Sequence, residues 1–132
     1  LPAALALVEK FPKQKFILDH IAKPNISEPV NDKWKVNVKA LSEFENVSCK
    51  LSGMVTETKD FNFVDKDFEP YINHIFSSFG TNRILFGSDW PVCLLATDYK
   101  KVITLINNYL DIYSAKIKAK VLGVNAIKIY NL

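Results

Sequence analysis

The chain has 132 residues, enough for one domain that buries roughly 65–70% of the surface its unfolded form exposes. Hydrophobic residues make up 48% of it and the formal net charge is only +3, a balance typical of soluble globular proteins. The lysines are scattered rather than massed, with no basic stripe interleaved with aromatics, which argues against a nucleic-acid partner; no apolar run approaches the length of a membrane span.

Cys49 and Cys93 lie far apart with no CxxC, so a reducing, cytoplasmic setting is expected. No signal peptide precedes the first helix, and the opening Leu1-Pro2 lacks an initiator methionine, which suggests a fragment or a processed piece.

In chain order, Leu5, Val8 and Phe11 at helical spacing predict a short amphipathic helix over Ala3–Phe11, stopped by Pro12. Lys15–His20 reads as a buried strand and Ile21–Pro24 as its exit. The polar, proline-containing stretch Asn25–Asp32 predicts a loop. Trp34, Val38, Leu41 and Phe44 mark a second helix to about Glu45. Val47–Gly53 is a second strand with a glycine exit, and Met54–Lys66, without periodicity, is read as a long loop.

Phe68, Tyr71, Ile72, Ile75, Phe76 and Phe79 predict a strong third helix closed by Gly80. Ile84-Leu85-Phe86, bounded by Arg83 and Gly87, is a third buried strand. Thr97 or Asp98 can cap a helix carrying Val102, Leu105, Ile106 and Tyr109. Ser114 caps another that ends at Gly123, and Asn125 caps a last short one through Tyr130.

Strands separated by helices imply right-handed crossovers and a parallel sheet, hence an α/β fold. The strand exits at His20, Ser52-Gly53 and Ser88-Asp89 must then share one end of the sheet, the end where α/β folds bind ligands. Asp89 is therefore a candidate catalytic carboxylate, although it could instead merely cap the next helix or bond its own loop. His20 is either a hydrogen-bonded histidine at a strand end or an imidazole able to bond a carbonyl, take a proton or hold a metal.

Lys23 can bind a substrate anion or pair with an acid, and Trp90 offers an apolar wall beside Asp89. Asp19, by strand alternation, is expected to point away from His20 as a structural partner. Lys50, within a strand, needs a partner, either inside a polar barrel or at an edge. His74 is read as packing or surface.

Leu18–Pro24, Lys50–Gly53 and the run Arg83-Ile84-Leu85-Phe86-Gly87-Ser88-Asp89-Trp90-Pro91-Val92 resemble the C-terminal portion of the amidohydrolase-2 family. The similar branch is that of sugar lactonases and 2-pyrone-4,6-dicarboxylate lactonase-like enzymes, and Gly123–Leu132 resembles the family's end. The resemblance covers nearly all of residues 1–132 and implies part of a (β/α)₈ TIM barrel, with these strands as the sixth to eighth.

It implies that Asp89 is a general base or a metal ligand and that His20 polarises the substrate carbonyl or binds metal. Zinc is the divalent ion to expect if the parent is metal-dependent. The implied reaction is hydrolysis of a small sugar or carboxylated lactone. Zinc-dependent decarboxylation, or a non-catalytic assembly module, is the alternative. The H-x-H pair of the family's first strand is absent, as is everything through strand five. Three strands cannot close a barrel, so self-association or pairing with a missing N-terminal half is expected, with Trp34, Tyr71, Phe76 and Leu105 as surface seeking cover.

Overall fold

A computed structural model describes every residue except Glu28. Its centre is a parallel sheet in the order β1 (Phe16–Leu18), β2 (Val47–Leu51), β3 (Ile84–Phe86). Helices α1 (Pro2–Lys10), α2 (Asp32–Ser42) and α3 (Glu69–Phe79) precede and separate the strands, and α4 (Tyr99–Leu110) follows them. This is the expected α/β order, and the parallel pairing puts all three strand exits at one end.

The register opposes Phe16 to Val47 and Leu18 to Cys49, then Cys49 to Ile84 and Leu51 to Phe86. Residues alternate between faces, so Val47, Cys49, Leu51 and Ile84 share one face, all at most 1% exposed beneath the helices. Ile17, Ser48, Lys50 and Leu85 share the other. A strand buried on both faces does not show clean apolar alternation. That second face carries the polar Ser48 and Lys50 on β2.

Trp34 packs edge-on to Tyr71 at 5.4 Å between α2 and α3. With Phe76 and Leu105 it is buried, so these four are core and not the surface seeking cover that the sequence suggested. Trp90, Val92, Leu94 and Leu95, which follow β3 in the chain, are exposed instead. His74 donates its Nε2–H to the Lys35 carbonyl, 2.9 Å away, and its ring lies against Trp34, which is the packing role expected of it.

Local signals set most helix ends. Asn31 accepts from the Lys33 and Trp34 amides at the start of α2, and Asp98 from Lys101 at the start of α4. Gly80, at φ +63°, ends α3 by donating its N–H to Phe76 O.

Three expectations need correction. Gly123 ends nothing: α5 (Ala115–Ala119) runs through a π-helical turn at Lys120–Val124 into α6 (Asn125–Tyr130). Asn125 is no cap, because its Nδ2 donates to the Thr81 and Ile84 carbonyls and ties this segment to β3. The stretch Met54–Lys66 is not featureless. It winds through 3₁₀ turns at Val55–Glu57 and Lys59–Phe61 and enters a third at Asp65–Phe68. The loop expected over residues 25–32 is irregular at its described positions up to Asn31, with Glu28 outside the described residues.

Candidate active site

β1 ends at Leu18, two residues sooner than the apolar run suggested, and Asp19–Ala22 turn in a tight 3₁₀-like loop. His20, Ile21, Ala22 and Lys23 all have positive φ, between 45° and 61°. Each such residue lacks glycine's freedom and costs on the order of 1 kcal/mol, so the turn persists only because its surroundings fix it. Ile21 is fully buried, its carbonyl accepts from Trp34 Nε1 at 2.8 Å, and Lys23 N donates to His20 O at 2.8 Å.

The left-handed turn redirects side chains. Strand alternation would send Asp19 and His20 to opposite faces, but both lie on the same side. His20 Nε2 is 3.2 Å from Asp19 Oδ2 and 3.7 Å from Asp89 Oδ1. This corrects the expectation for Asp19 and adds to the site a residue that sequence reasoning had set aside. The other Asp19 oxygen takes Lys50 Nζ at 2.8 Å.

Burial pushes the Asp19 carboxyl up, and the opposing pull of Lys50 and His20 outweighs it, leaving Asp19 below its ordinary value. Lys50 is held above its ordinary value by its hydrogen bond to Asp19, which prevails over burial. It is therefore an ammonium at neutral pH and no general base. Its stem lies over Gly87, where an added Cβ would sit 3.1 Å from Lys50 Cδ.

Asp89 arrives from β3. Gly87 N still donates to Leu51 O, and the chain then leaves the sheet with Asp89 at φ +59°, a conformation aspartate tolerates better than most residues. Cys93 N donates to Asp89 O at 2.9 Å and Trp90 N to Ser88 Oγ at 3.2 Å, which fixes the turn. The Asp89 side chain is 14% exposed and the His20 side chain 28%, so both are sheltered yet reachable. Trp90, joined to Pro91 by a cis peptide, is 64% exposed beside them.

Two residues of the β2 exit seat the imidazole. Ser52 Oγ lies 2.8 Å from His20 Nδ1, and Gly53 packs against the ring. A Cβ at Gly53 would fall 2.7 Å from Nδ1, and Gly53 has φ +63°. Gly53→Ala should therefore displace the ring and destabilise the fold by about 1–3 kcal/mol. An unchanged urea midpoint would show that the ring moves aside freely.

Lys23 Nζ meets Glu57 Oε1 at 2.6 Å, joining the β1 exit to the 54–68 segment. It is half-exposed and lies on the site's rim. Cys49 and Cys93 are both free and buried. A groove of about 640 Å³ is at the opposite end of the strands, lined by Lys15, Phe16, Asn46, Ser48, Asn82 and Arg83. His20 and Asp89 thus converge at the end the sequence predicted.

Among the described residues no three His, Cys, Asp or Glu side chains gather as a metal centre. His20 and Asp89 supply two donors, and Asp19 is engaged by Lys50. Zinc sites take three or four protein ligands, so these residues alone do not fit one.

The Amidohydrolase family (Amidohydro_2) matches residues 1–132. An L-fucono-1,5-lactonase of Burkholderia ambifaria is 35% identical over 100% of this chain and 47% of its own length. A second L-fucono-1,5-lactonase, from Burkholderia multivorans, is 32% identical over 100% of this chain and 48% of its own. Among solved structures, a Burkholderia multivorans amidohydrolase with bound Zn superposes with a TM-score of 0.94 at 31% identity, over 99% of this chain and 49% of that one. The chain spans about half the length of these relatives, so its open three-stranded sheet is the C-terminal part of a TIM barrel. This chain belongs to the Amidohydrolase family.

Proposed function

We propose that this chain supplies strands six to eight of a barrel that hydrolyses a small lactone, sugar-derived or carboxylated. The observation that carries the reading is the meeting of His20 and Asp89, 3.7 Å apart, from strands on either side of β2. The lactonase names of its relatives support this substrate class over decarboxylation.

The chemistry needs little more than these two groups. The Asp89 carboxylate takes a proton from water as the oxygen attacks the lactone carbonyl carbon. His20 donates from Nε2 to the carbonyl oxygen and stabilises the oxyanion. When the ring C–O bond breaks, the proton held by Asp89 goes to the departing alkoxide, giving the hydroxy acid. Lys23, once released from Glu57, can meet a substrate carboxylate, and Trp90 forms a flat wall for the sugar face.

A divalent ion, zinc first, would need ligands from beyond the described residues, and the steps above do not pass through it. Pairing with the N-terminal half of the barrel would close the sheet edges, and without that half they favour self-association. The free thiols fit a reducing, cytoplasmic setting.

The test joins this chain to the N-terminal half of a lactonase relative and follows acid release from L-fucono-1,5-lactone, with the isolated chain as blank. Turnover above the blank supports the reading. A well-folded barrel that opens neither sugar nor carboxylated lactones would refute it.

A further inference from the structure

Ser52 does more than end a strand. A histidine ring can turn by 180° about χ2, exchanging Nδ1 with a carbon and Nε2 with another, and only one orientation suits a hydrogen-bonding role. In this structure Nε2 faces two carboxylates, Asp19 Oδ2 at 3.2 Å and Asp89 Oδ1 at 3.7 Å. A lone pair aimed at carboxylate oxygens is repelled, so the proton of the neutral ring belongs on Nε2.

Nδ1 then carries the lone pair and needs a donor. Ser52 Oγ is 2.8 Å away and is 3% exposed as a residue, with no other hydrogen bond among the described residues. The Gly53 backbone closes off the remaining space at that edge of the ring.

We propose that Ser52 is a positioning residue: its hydroxyl donates to His20 Nδ1, fixes the Nε2–H tautomer and aims that N–H into the space beside Asp89. Asp19 holds the same proton until a substrate carbonyl oxygen replaces it. Lys50, bound to the other Asp19 oxygen, keeps that carboxylate in place. The placement has a simple basis in the sequence, since Ser48 and Lys50 alternate along β2 onto one face and Ser52 follows at the same spacing just past the strand's end. The inference deepens the lactonase reading and rests on His20 being the site's imidazole.

The chain has only two histidines, which makes a direct spectroscopic test practical. Chain labelled with ¹⁵N at histidine is recorded by long-range ¹H–¹⁵N correlation at a pH where the rings are neutral. Wild type, Ser52→Ala and Ser52→Thr are compared. His20 should show protonated Nε2 and an Nδ1 resonance displaced by an accepted hydrogen bond. Ser52→Ala should remove that displacement while leaving the His74 signals in place, and Ser52→Thr should restore it.

An unmoved His20 Nδ1 in Ser52→Ala would overturn the proposal. So would a change spreading to His74 and the amide spectrum, which would make Ser52 part of the fold alone. In the completed barrel, Ser52→Ala should lower kcat about tenfold with KM little changed, the equivalent of one net hydrogen bond in the transition state. Ser52→Thr should recover most of that loss. If the ring nitrogens respond as expected but the barrel opens no lactone, the positioning role stands and the assigned reaction falls.

Discussion

Asp89→Asn in the completed barrel should lower lactone opening by roughly 10²–10⁴-fold while leaving thermal stability nearly unchanged. Asparagine keeps the size and planarity of the side chain, and it accepts φ near +59° as readily as aspartate does. The turn bonds from Cys93 and Trp90 involve the Asp89 carbonyl and Ser88 Oγ, so the substitution leaves them intact. What disappears is the basic oxygen that would deprotonate water.

The Asp89 side chain faces His20 at 3.7 Å, beyond a short hydrogen bond, so little folding energy depends on it. The measurement is kcat/KM beside a melting curve for each protein. Turnover within a few-fold of wild type would remove Asp89 from the mechanism. A melt lowered by many degrees would make it a structural residue instead.

How far the sequence led is best seen residue by residue. The strands, the parallel order and the caps at Gly80, Asp98 and Ser114 follow from local chemistry that the structure keeps. The approach of His20 to Asp89 is legible because strand exits in a parallel sheet must share an end. Asp19 was missed because alternation holds only while the backbone is extended. His, Ile, Ala and Lys are poor left-handed residues, so nothing local announces the turn at 20–23. It is imposed from a distance by the Ile21 burial site and by Trp34, thirteen residues on.

Asn125 misled for a related reason. Asparagine before an apolar run reads as a cap, yet here its amide is used by two carbonyls of the β3 region. Ser52 was legible only as part of a polar exit. Its bond to His20 spans 32 residues of sequence and depends on the left-handed turn.

Arg83→Ala should cost about 3 kcal/mol of folding stability without touching the site's chemistry. The Arg83 guanidinium donates to three carbonyls, Ser42 O and Val47 O at 2.8 Å and Phe44 O at 2.9 Å. Two of these belong to the end of α2 and the turn after it, where helix carbonyls lack partners of their own, and the third opens β2. The guanidinium also lies 5.3 Å from the centre of the Phe79 ring at the end of α3.

One side chain therefore binds α2, α3, β2 and β3 together at the strands' lower end. Hydrogen bonds from a charged donor are worth roughly 1.5–3 kcal/mol each, but they are not additive and this group is only partly buried, which sets the lower total. Arg83→Lys should lose about half as much, because a single ammonium cannot serve three carbonyls held in different directions.

Urea unfolding of the two variants measures both costs. The backbone bond from Cys49 N to Arg83 O is preserved in either variant, so β3 stays in register and Asp89 stays opposite His20. Each folded variant in the completed barrel should accordingly retain its turnover at low temperature. A loss below 1 kcal/mol in Arg83→Ala would show that water replaces the guanidinium and that the lower end needs no such tie.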